Sequence, residues 1–108
     1  MAELVWVYVT CADEDEARRL ARELVEERLA ACANVIPGLF STYWWEGKRE
    51  EAREAALILK STAARVEKLM AEIRARHSYS TPAILVLPVL AANPEFARWV
   101  KETVGDEA

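Results

Sequence analysis

Two short segments of this chain are apolar at almost every position rather than at every second one. Residues 4–9 read Leu-Val-Trp-Val-Tyr-Val, and residues 84–89 read Ile-Leu-Val-Leu-Pro-Val. Such runs of β-branched and aromatic residues are typical of strands that are buried on both faces. The chain is therefore expected to fold around a sheet that needs cover on each side.

Amphipathic patterns predict three helices. Over residues 13–31, apolar residues recur three and four positions apart, and acidic residues fill the first turn. A second helix is expected after a cap at Ser61-Thr62 and runs to about Arg76. A third helix begins at Asn93-Pro94 and ends at Gly105.

The middle of the chain leaves one element open. Residues 35–45 predict a long strand with a bulge or bend at Pro37-Gly38, and Glu46-Gly47 predicts a tight hairpin turn after it. Residues 48–60 contain strong helix formers and an apolar stripe at helical spacing, which favour a helix. A strand is the alternative, and the local pattern does not decide between the two.

If residues 48–60 form a strand, the element order is the split βαβ arrangement. We then expect an α+β fold, a ferredoxin-like βαββαβ sandwich with an additional C-terminal helix. Both main helices of this fold lie on one face of the sheet, so something else must cover the apolar residues of the other face. Other copies of the chain are the simplest cover. The alternative is the C-terminal helix alone, which is short for a whole sheet.

Length and charge exclude several classes of protein. The 108 residues fit a single domain spanning residues 1–108. With 14 Lys and Arg against 18 Asp and Glu, the net charge is −4 and no basic stripe is present, so nucleic acid is not an expected partner. No apolar run is long enough to span a membrane, and the start Met1-Ala2-Glu3 lacks the features of a signal peptide.

The cysteines indicate a compartment. Cys11 and Cys32 lie on either side of the first predicted helix, which holds them too far apart for an intrachain disulfide. Free thiols favour the reducing cytoplasm. The chain also lacks Gln and is rich in Glu, Arg and Ala, a bias found in heat-adapted, thermostable proteins.

Several short motifs follow one another in a distinctive order. They are Glu27-Arg-Leu-Ala-Ala-Cys-Ala-Asn34, Tyr43-Trp-Trp-Glu-Gly-Lys48, Ile58-Leu-Lys-Ser-Thr62, His77-Ser78-Tyr79 with Pro82, and Trp99. As a set they resemble the CutA family, the divalent-cation tolerance proteins, over roughly residues 4–103. The resemblance implies an interlocked cytoplasmic homotrimer linked to copper and other divalent metals. It also implies a strand over residues 48–60, with the hairpin tip reaching a neighbouring subunit.

Three positions depart from the pattern that the resemblance implies. Ser78 stands where the family loop commonly has proline, Arg76 where some members have a second histidine, and Ala83 where many relatives have glutamate. The change at Ser78 is expected to loosen the backbone before Tyr79. The family trimer also resembles that of PII-like signalling proteins, which is an analogy of fold and carries little about function.

Thiolate and imidazole are the ligands that suit copper, and the chain offers them at Cys11, Cys32 and His77 only. Cys11 lies close to the position of a cysteine that the resemblance links to metal binding, whereas Cys32 is interpreted as a small buried hydrophobe. His77 ends a helix, where the helix dipole favours the protonated ring and opposes metal binding. Cys11 and His77 are the candidate ligands for copper or another divalent cation, and no cofactor is required.

Catalysis is not predicted. His77 is the single candidate base for a nucleophilic Cys11, and there is no glycine-rich phosphate loop and no zinc-protease or nucleophile-elbow motif. The acidic runs at residues 13–16 and 50–51 are interpreted as solvated faces or ion pairs between subunits.

Four aromatic residues, Trp44, Trp45, Tyr79 and Trp99, are candidates for a cleft between subunits that takes a small anionic or planar effector. Interface packing is the alternative for them. The sequence thus predicts a non-enzymatic cytoplasmic homotrimer associated with divalent-metal tolerance. The alternative is a PII-like signalling module that binds a small effector in the intersubunit cleft.

Overall fold

The fold is taken from a computed structural model that describes residues 3–105. Four strands and three helices follow one another as β1 (Leu4–Cys11), α1 (Glu14–Glu26), β2 (Cys32–Trp45), β3 (Lys48–Thr62), α2 (Val66–Arg76), β4 (Ile84–Pro88) and α3 (Pro94–Val104). A short 3-10 turn over Ala63–Arg65 leads into α2.

The strands form a single antiparallel sheet with the order β2-β3-β1-β4. Helices α1 and α2 pack against one face of it, around a core that contains Val5, Val7 and Val9 of β1 and Leu57 and Leu59 of β3. The expected α+β fold, a ferredoxin-like βαββαβ sandwich with an additional C-terminal helix, is confirmed.

Residues 48–60 belong to β3, so the helical alternative is wrong. From Ala55 to Thr62 this strand pairs with β1 on one side, and it pairs with β2 along its length on the other. From Glu54 to Leu59 the strand is buried on both faces and has no polar alternation, so its apolar residues also match a helical stripe, while the exposed residues 48–51 are strong helix formers. Long-range pairing overrides the local helix propensity here.

Helix α1 is shorter than its pattern predicts. It ends at Glu26, and Arg28 adopts a left-handed backbone conformation with φ of 59°. The amides of Leu29 and Ala30 turn back to the carbonyl of Leu24. Their apolar side chains still face the core, which is why the apolar pattern continued to Ala31 although the helix did not.

The cap predicted at Ser61-Thr62 is also wrong. Both residues lie at the end of β3, and neither side chain caps the turn that follows. The Ser61 hydroxyl instead donates to the carbonyl of Leu29 at 2.7 Å, inside the protein. The Ser61 hydroxyl thus supplies a hydrogen-bond partner for the Leu29 carbonyl, which is buried although α1 ends before it.

Strands β2 and β3 form a long arm. The register shifts between Ile36 and Leu39, at the predicted bulge, and Gly47 closes the predicted hairpin turn with φ of 79°. Strand β2 begins at Cys32, three residues before its predicted start. From Lys48 to Glu54, β3 pairs with β2 alone, so this part of the hairpin extends beyond the rest of the sheet.

The helix-free face of the sheet is only partly covered. Helix α3 begins after Asn93 and ends at Gly105, as predicted, and packs Val100 and Val104 against Leu4 at one end of that face. Cross-strand pairing places Trp6 opposite Leu87 and Tyr8 opposite Leu85 on the same face. Large apolar side chains there stay exposed: Trp6 40%, Ile36 45%, Leu85 57% and Leu87 44%.

Candidate metal-binding cluster and adjoining pocket

Three potential metal ligands meet where β1 ends. A thiol from Cys11, a carboxylate oxygen from Glu16 and a ring nitrogen from His77 all lie within 4.8 Å of one another. Cys11 is the last residue of β1, Glu16 lies in the first turn of α1, and His77 follows α2 directly. The two residues predicted from the sequence are thus brought together, and Glu16 joins them.

Glu16 is held at the start of α1 by hydrogen bonds to the backbone. The Asp13 carboxylate accepts from the Glu16 amide at 2.8 Å, while Glu16 accepts from the amides of Ala12 at 2.9 Å and Ser78 at 2.8 Å. Burial raises the pKa of Glu16, but these N–H groups and the Ser78 hydroxyl outweigh it and leave the pKa below its ordinary value.

The acidic run at residues 13–16 is therefore not wholly a solvated face, because Glu16 is buried. Sequence reasoning missed this residue. The available signal was the spacing Asp13-x-x-Glu16, which is a capping-box pattern at the start of a helix.

His77 has a completely buried side chain with both ring nitrogens engaged. Nε2 lies 2.8 Å from the carbonyl oxygen of Thr10, and Nδ1 accepts from the amide of Tyr79 at 3.0 Å. An acceptor at Nδ1 and a donor at Nε2 require the neutral ring. These two partners select the neutral ring with its proton on Nε2, in place of the protonated ring expected at the helix end, and they occupy both nitrogens that could ligate a metal.

Cys11 is a buried thiol. Burial, followed by the nearby charge of Glu16, raises its pKa to about 12. The thiol keeps its proton at neutral pH, so a metal that binds there must displace that proton. Cys32 is also a free thiol but is only half-buried, at the start of β2, rather than a fully buried hydrophobe.

A pocket of about 630 Å³ opens beside the cluster. It is lined by residues of the β1 end, the β2–β3 arm and the loop after His77, among them Thr10, Tyr43, Trp45, Glu54 and Tyr79. The Tyr79 phenol donates to the Glu54 carboxylate at 2.6 Å, and the Tyr79 ring lies 4.9 Å from that of His77, centre to centre. Tyr79 thus separates the pocket from the cluster.

Of the four aromatic candidates, the structure brings Trp45 and Tyr79 to this pocket. Trp44 lies on the β2–β3 arm with 74% of its surface exposed. Trp99 lies on α3 and packs against Phe96, with 5.7 Å between ring centres. The role of Trp44 and Trp99 in a cleft or interface between subunits stays a prediction.

The sequence and the fold match a known family. The family model described as CutA1 divalent ion tolerance protein matches residues 5–103. The chain belongs to the CutA1 family. The divalent-cation tolerance protein CutA of Thermus thermophilus is 42% identical over 99 residues, which is 92% of this chain and 96% of that protein.

Solved structures agree. The periplasmic divalent cation tolerance protein CutA from Archaeoglobus fulgidus is 40% identical with a TM-score of 0.91, over 94% of this chain and 98% of that one. CutA from Xylella fastidiosa is 34% identical with a TM-score of 0.92, over 95% and 99%. Both are therefore CutA1 structures with the same subunit fold as this chain.

Two of the three positions at which the sequence departs from the family resemblance, Ser78 and Arg76, make hydrogen bonds in the structure. The Ser78 amide donates to Glu16, a bond that a proline at this position could not make. Tyr79 makes contacts through its amide, its ring and its phenol, and a looser backbone before it stays a prediction. Arg76 bonds the carboxylates of Glu23, Glu27 and Glu72 and joins α1 to α2.

Helix lengths bear on membranes. Within residues 3–105, none of the helices is both long and apolar enough to cross a bilayer.

Proposed function

We propose that this CutA1-family chain acts in divalent-cation tolerance by binding copper or another divalent cation at Cys11, Glu16 and His77. One observation carries the proposal: a thiol, a carboxylate and an imidazole from three separate elements lie within 4.8 Å of one another. Thiolate and imidazole suit copper and zinc, and a carboxylate completes a set of three protein ligands that leaves room for water.

Binding such an ion requires a rearrangement at His77 and the loss of a proton at Cys11. For Nε2 of His77 to bind the metal, its proton must move to Nδ1, so the bond to the Thr10 carbonyl and the bond from the Tyr79 amide must both break. Glu16 keeps its charge, since its pKa is lowered. Its two oxygens now accept from backbone N–H groups, and these oxygens are the atoms that a cation would contact. Cys11 supplies a thiolate only when its proton leaves, so metal binding releases a proton.

We also propose that the chain works as a homotrimer. The support is the helix-free face, where Trp6, Leu85 and Leu87 remain exposed although α3 covers one end of the sheet. A patch of this kind marks an interface on a stable protein. Three subunits are what the resemblance to the CutA family implies.

The β2–β3 arm supports the same assembly. In the described range 3–105, its outer part has no strand partner beyond its own hairpin, and it exposes 65% of Phe40 and 74% of Trp44. Large aromatic side chains on an isolated hairpin are well suited to packing on a second subunit.

A non-enzymatic role in the cytoplasm completes the proposal. The relatives are named for tolerance to cations rather than for a reaction. Two free thiols favour a reducing compartment. Because the Archaeoglobus fulgidus relative is described as periplasmic, fractionation of the native cells is the check on location.

Calorimetric titration of the assembled protein tests the metal site. Cu²⁺ is used under anaerobic conditions, and Zn²⁺ repeats the titration because it does not oxidise thiols. The test variant is His77→Gln, whose amide nitrogen can still donate to Thr10 but which lacks an imidazole. Cys32→Ser is the control, because Cys32 lies outside the cluster.

We expect saturable binding of both ions by the wild type and by Cys32→Ser. His77→Gln should weaken binding at least about tenfold, as expected when a metal ligand or its support is lost. Equal binding by His77→Gln and the wild type would reject the site, and so would a loss caused by Cys32→Ser.

A further inference from the structure

The pocket beside Tyr79 has an unusual charge. Its lining combines hydroxyl groups, including Thr10, Ser41 and Thr42, with the rings of Tyr43 and Trp45. Among residues 3–105, Glu54 is its single charged lining residue, and no lysine, arginine or histidine of that range lines it. An anion would therefore meet a negative charge and no counter-ion, contrary to the anionic effector considered from the sequence.

Glu54 is a buried residue rather than a surface residue. Only 8% of the residue is exposed, on a strand that is hydrogen-bonded within the sheet. Its Oε2 accepts from the Tyr79 phenol at 2.6 Å, whereas Oε1 has no hydrogen-bond partner within residues 3–105. Glu54 Oε1 is accessible from the cavity, so this oxygen of an otherwise buried carboxylate is free to accept a hydrogen bond from a ligand.

We propose that this pocket binds a small organic ammonium ion, with Glu54 as its counter-ion. An ammonium group has three N–H donors, one for the free Glu54 oxygen and others for the neighbouring hydroxyls. The hydrocarbon part of such a ligand packs against Tyr43 and Trp45, whose ring faces also attract a cation. The cavity volume is within the range of small-molecule sites.

A bare divalent cation fits this pocket less well. Calcium takes six to eight oxygen ligands and magnesium demands near-octahedral geometry, usually with carboxylates or phosphates to balance the charge. Glu54 is the only carboxylate that the described part of the chain places here, and Tyr79 already occupies one of its oxygens. A single charge with surrounding hydroxyls suits a monovalent organic cation.

Three small aromatic molecules of similar size test whether binding to the pocket depends on the charge of the ligand. Benzylammonium, benzyl alcohol and benzoate share one ring and differ in charge. Each is titrated into the assembled ¹⁵N-labelled protein while the backbone amide signals of Tyr79, Ser80 and Thr81 are followed. We expect saturable shifts with benzylammonium, weaker ones with benzyl alcohol and none with benzoate.

Matched variants locate the counter-ion. Glu54→Gln keeps an acceptor for the Tyr79 phenol but removes the charge, and it should raise the dissociation constant of benzylammonium about tenfold. Glu51→Gln is the control, because Glu51 is an exposed residue of the same strand and does not line the pocket. Tyr79→Phe frees the second Glu54 oxygen, so benzylammonium binding should persist.

Binding of benzoate as tight as that of benzylammonium would overturn the proposal, as would unchanged benzylammonium affinity in Glu54→Gln. Absence of saturable shifts with benzylammonium, or shifts only with Mg²⁺ or Ca²⁺, would reject the ligand class. The proposal stands apart from the metal site, because Glu54→Gln leaves Cys11, Glu16 and His77 unchanged. Metal binding and ammonium binding can therefore fail independently.

Discussion

Nε2 of His77 lies 2.8 Å from the carbonyl oxygen of Thr10, and this contact joins two parts of the chain that are 67 positions apart. The ring connects the end of β1 to the loop that follows α2. On one side of this contact lies the Cys11 thiol with Glu16, and on the other Tyr79 and the Glu54 pocket. The same imidazole therefore supports both candidate sites.

Replacement of His77 tests how much this contact stabilises the fold. His77→Ala leaves the Thr10 carbonyl and the Tyr79 amide without their partner, and we expect a loss of about 1–3 kcal/mol in the free energy of unfolding. His77→Gln can restore the donor to Thr10 and should recover part of this loss. Urea unfolding measures both variants. Equal stability of His77→Ala and the wild type would show that the contact contributes nothing.

Ser78 offers a matched pair of variants for the charge state of Glu16. Ser78→Ala and Ser78→Pro both remove the hydroxyl, but only proline also removes the amide that donates to Glu16. Loss of that donor should raise the pKa of Glu16 in Ser78→Pro above its value in Ser78→Ala. Carbon-detected NMR titration of the Glu16 carboxyl measures the difference. Equal pKa values would mean that the Ser78 amide does not stabilise the charge.

The ion pairs of Arg76 predict that the free energy of unfolding depends on pH. Its hydrogen bond holds the pKa of Glu27 below the ordinary value, so Glu27 binds its proton more weakly in the folded state. The resulting stabilisation is present above the ordinary glutamate pKa and is lost as the pH falls through the lowered one. Arg76→Ala should lower the free energy of unfolding at neutral pH, and lower it less in acid, where Glu27 is protonated.

Arg74→Ala is the control for this prediction, because Arg74 lies on the same helix, is exposed and has no ion pair within residues 3–105. Thermal unfolding over a series of pH values compares the two variants. A loss in Arg76→Ala that stays constant down to low pH would contradict the assignment to carboxylate partners.

The helix-free face predicts a substitution that separates subunits. Leu85→Lys places a charge opposite Tyr8 on this face and should weaken assembly more than about tenfold, because a buried unpaired charge is costly. Leu90→Lys is the control, since Leu90 is fully exposed and lies outside the strands. Sedimentation velocity at decreasing concentration measures both. A trimer that resists Leu85→Lys as well as Leu90→Lys would place the interface elsewhere.

The strands were predictable where burial leaves a mark on the sequence. Continuous apolar runs indicated β1 and β4, and Gly47 indicated the hairpin turn. Residues 48–60 were ambiguous for two reasons: the exposed residues 48–51 are strong helix formers, and from Glu54 to Leu59 a strand buried on both faces loses the alternation that distinguishes it from a helix. The end of α1 was missed because Leu29 and Ala30 remain in the core after the helix has stopped.

The sites were harder to predict from the sequence. Cys11 and His77 stood out because thiol and imidazole groups are rare in this chain, but nothing local shows that they meet across 66 positions. Glu16 and Glu54 were hidden among many exposed carboxylates, and only the fold distinguishes the buried ones. Tertiary proximity, rather than residue type, defines both sites.

The most direct test of the account is the optical spectrum of the Co²⁺-loaded protein, since a thiolate ligand gives a sulfur-to-cobalt charge-transfer band. We predict a band that saturates at a single ion per chain, disappears in Cys11→Ser and persists in Cys32→Ser, because the Cys11 thiol alone lies within 4.8 Å of Glu16 and His77. No band in the wild type, or a band that depends on Cys32, would contradict a metal site at the end of β1.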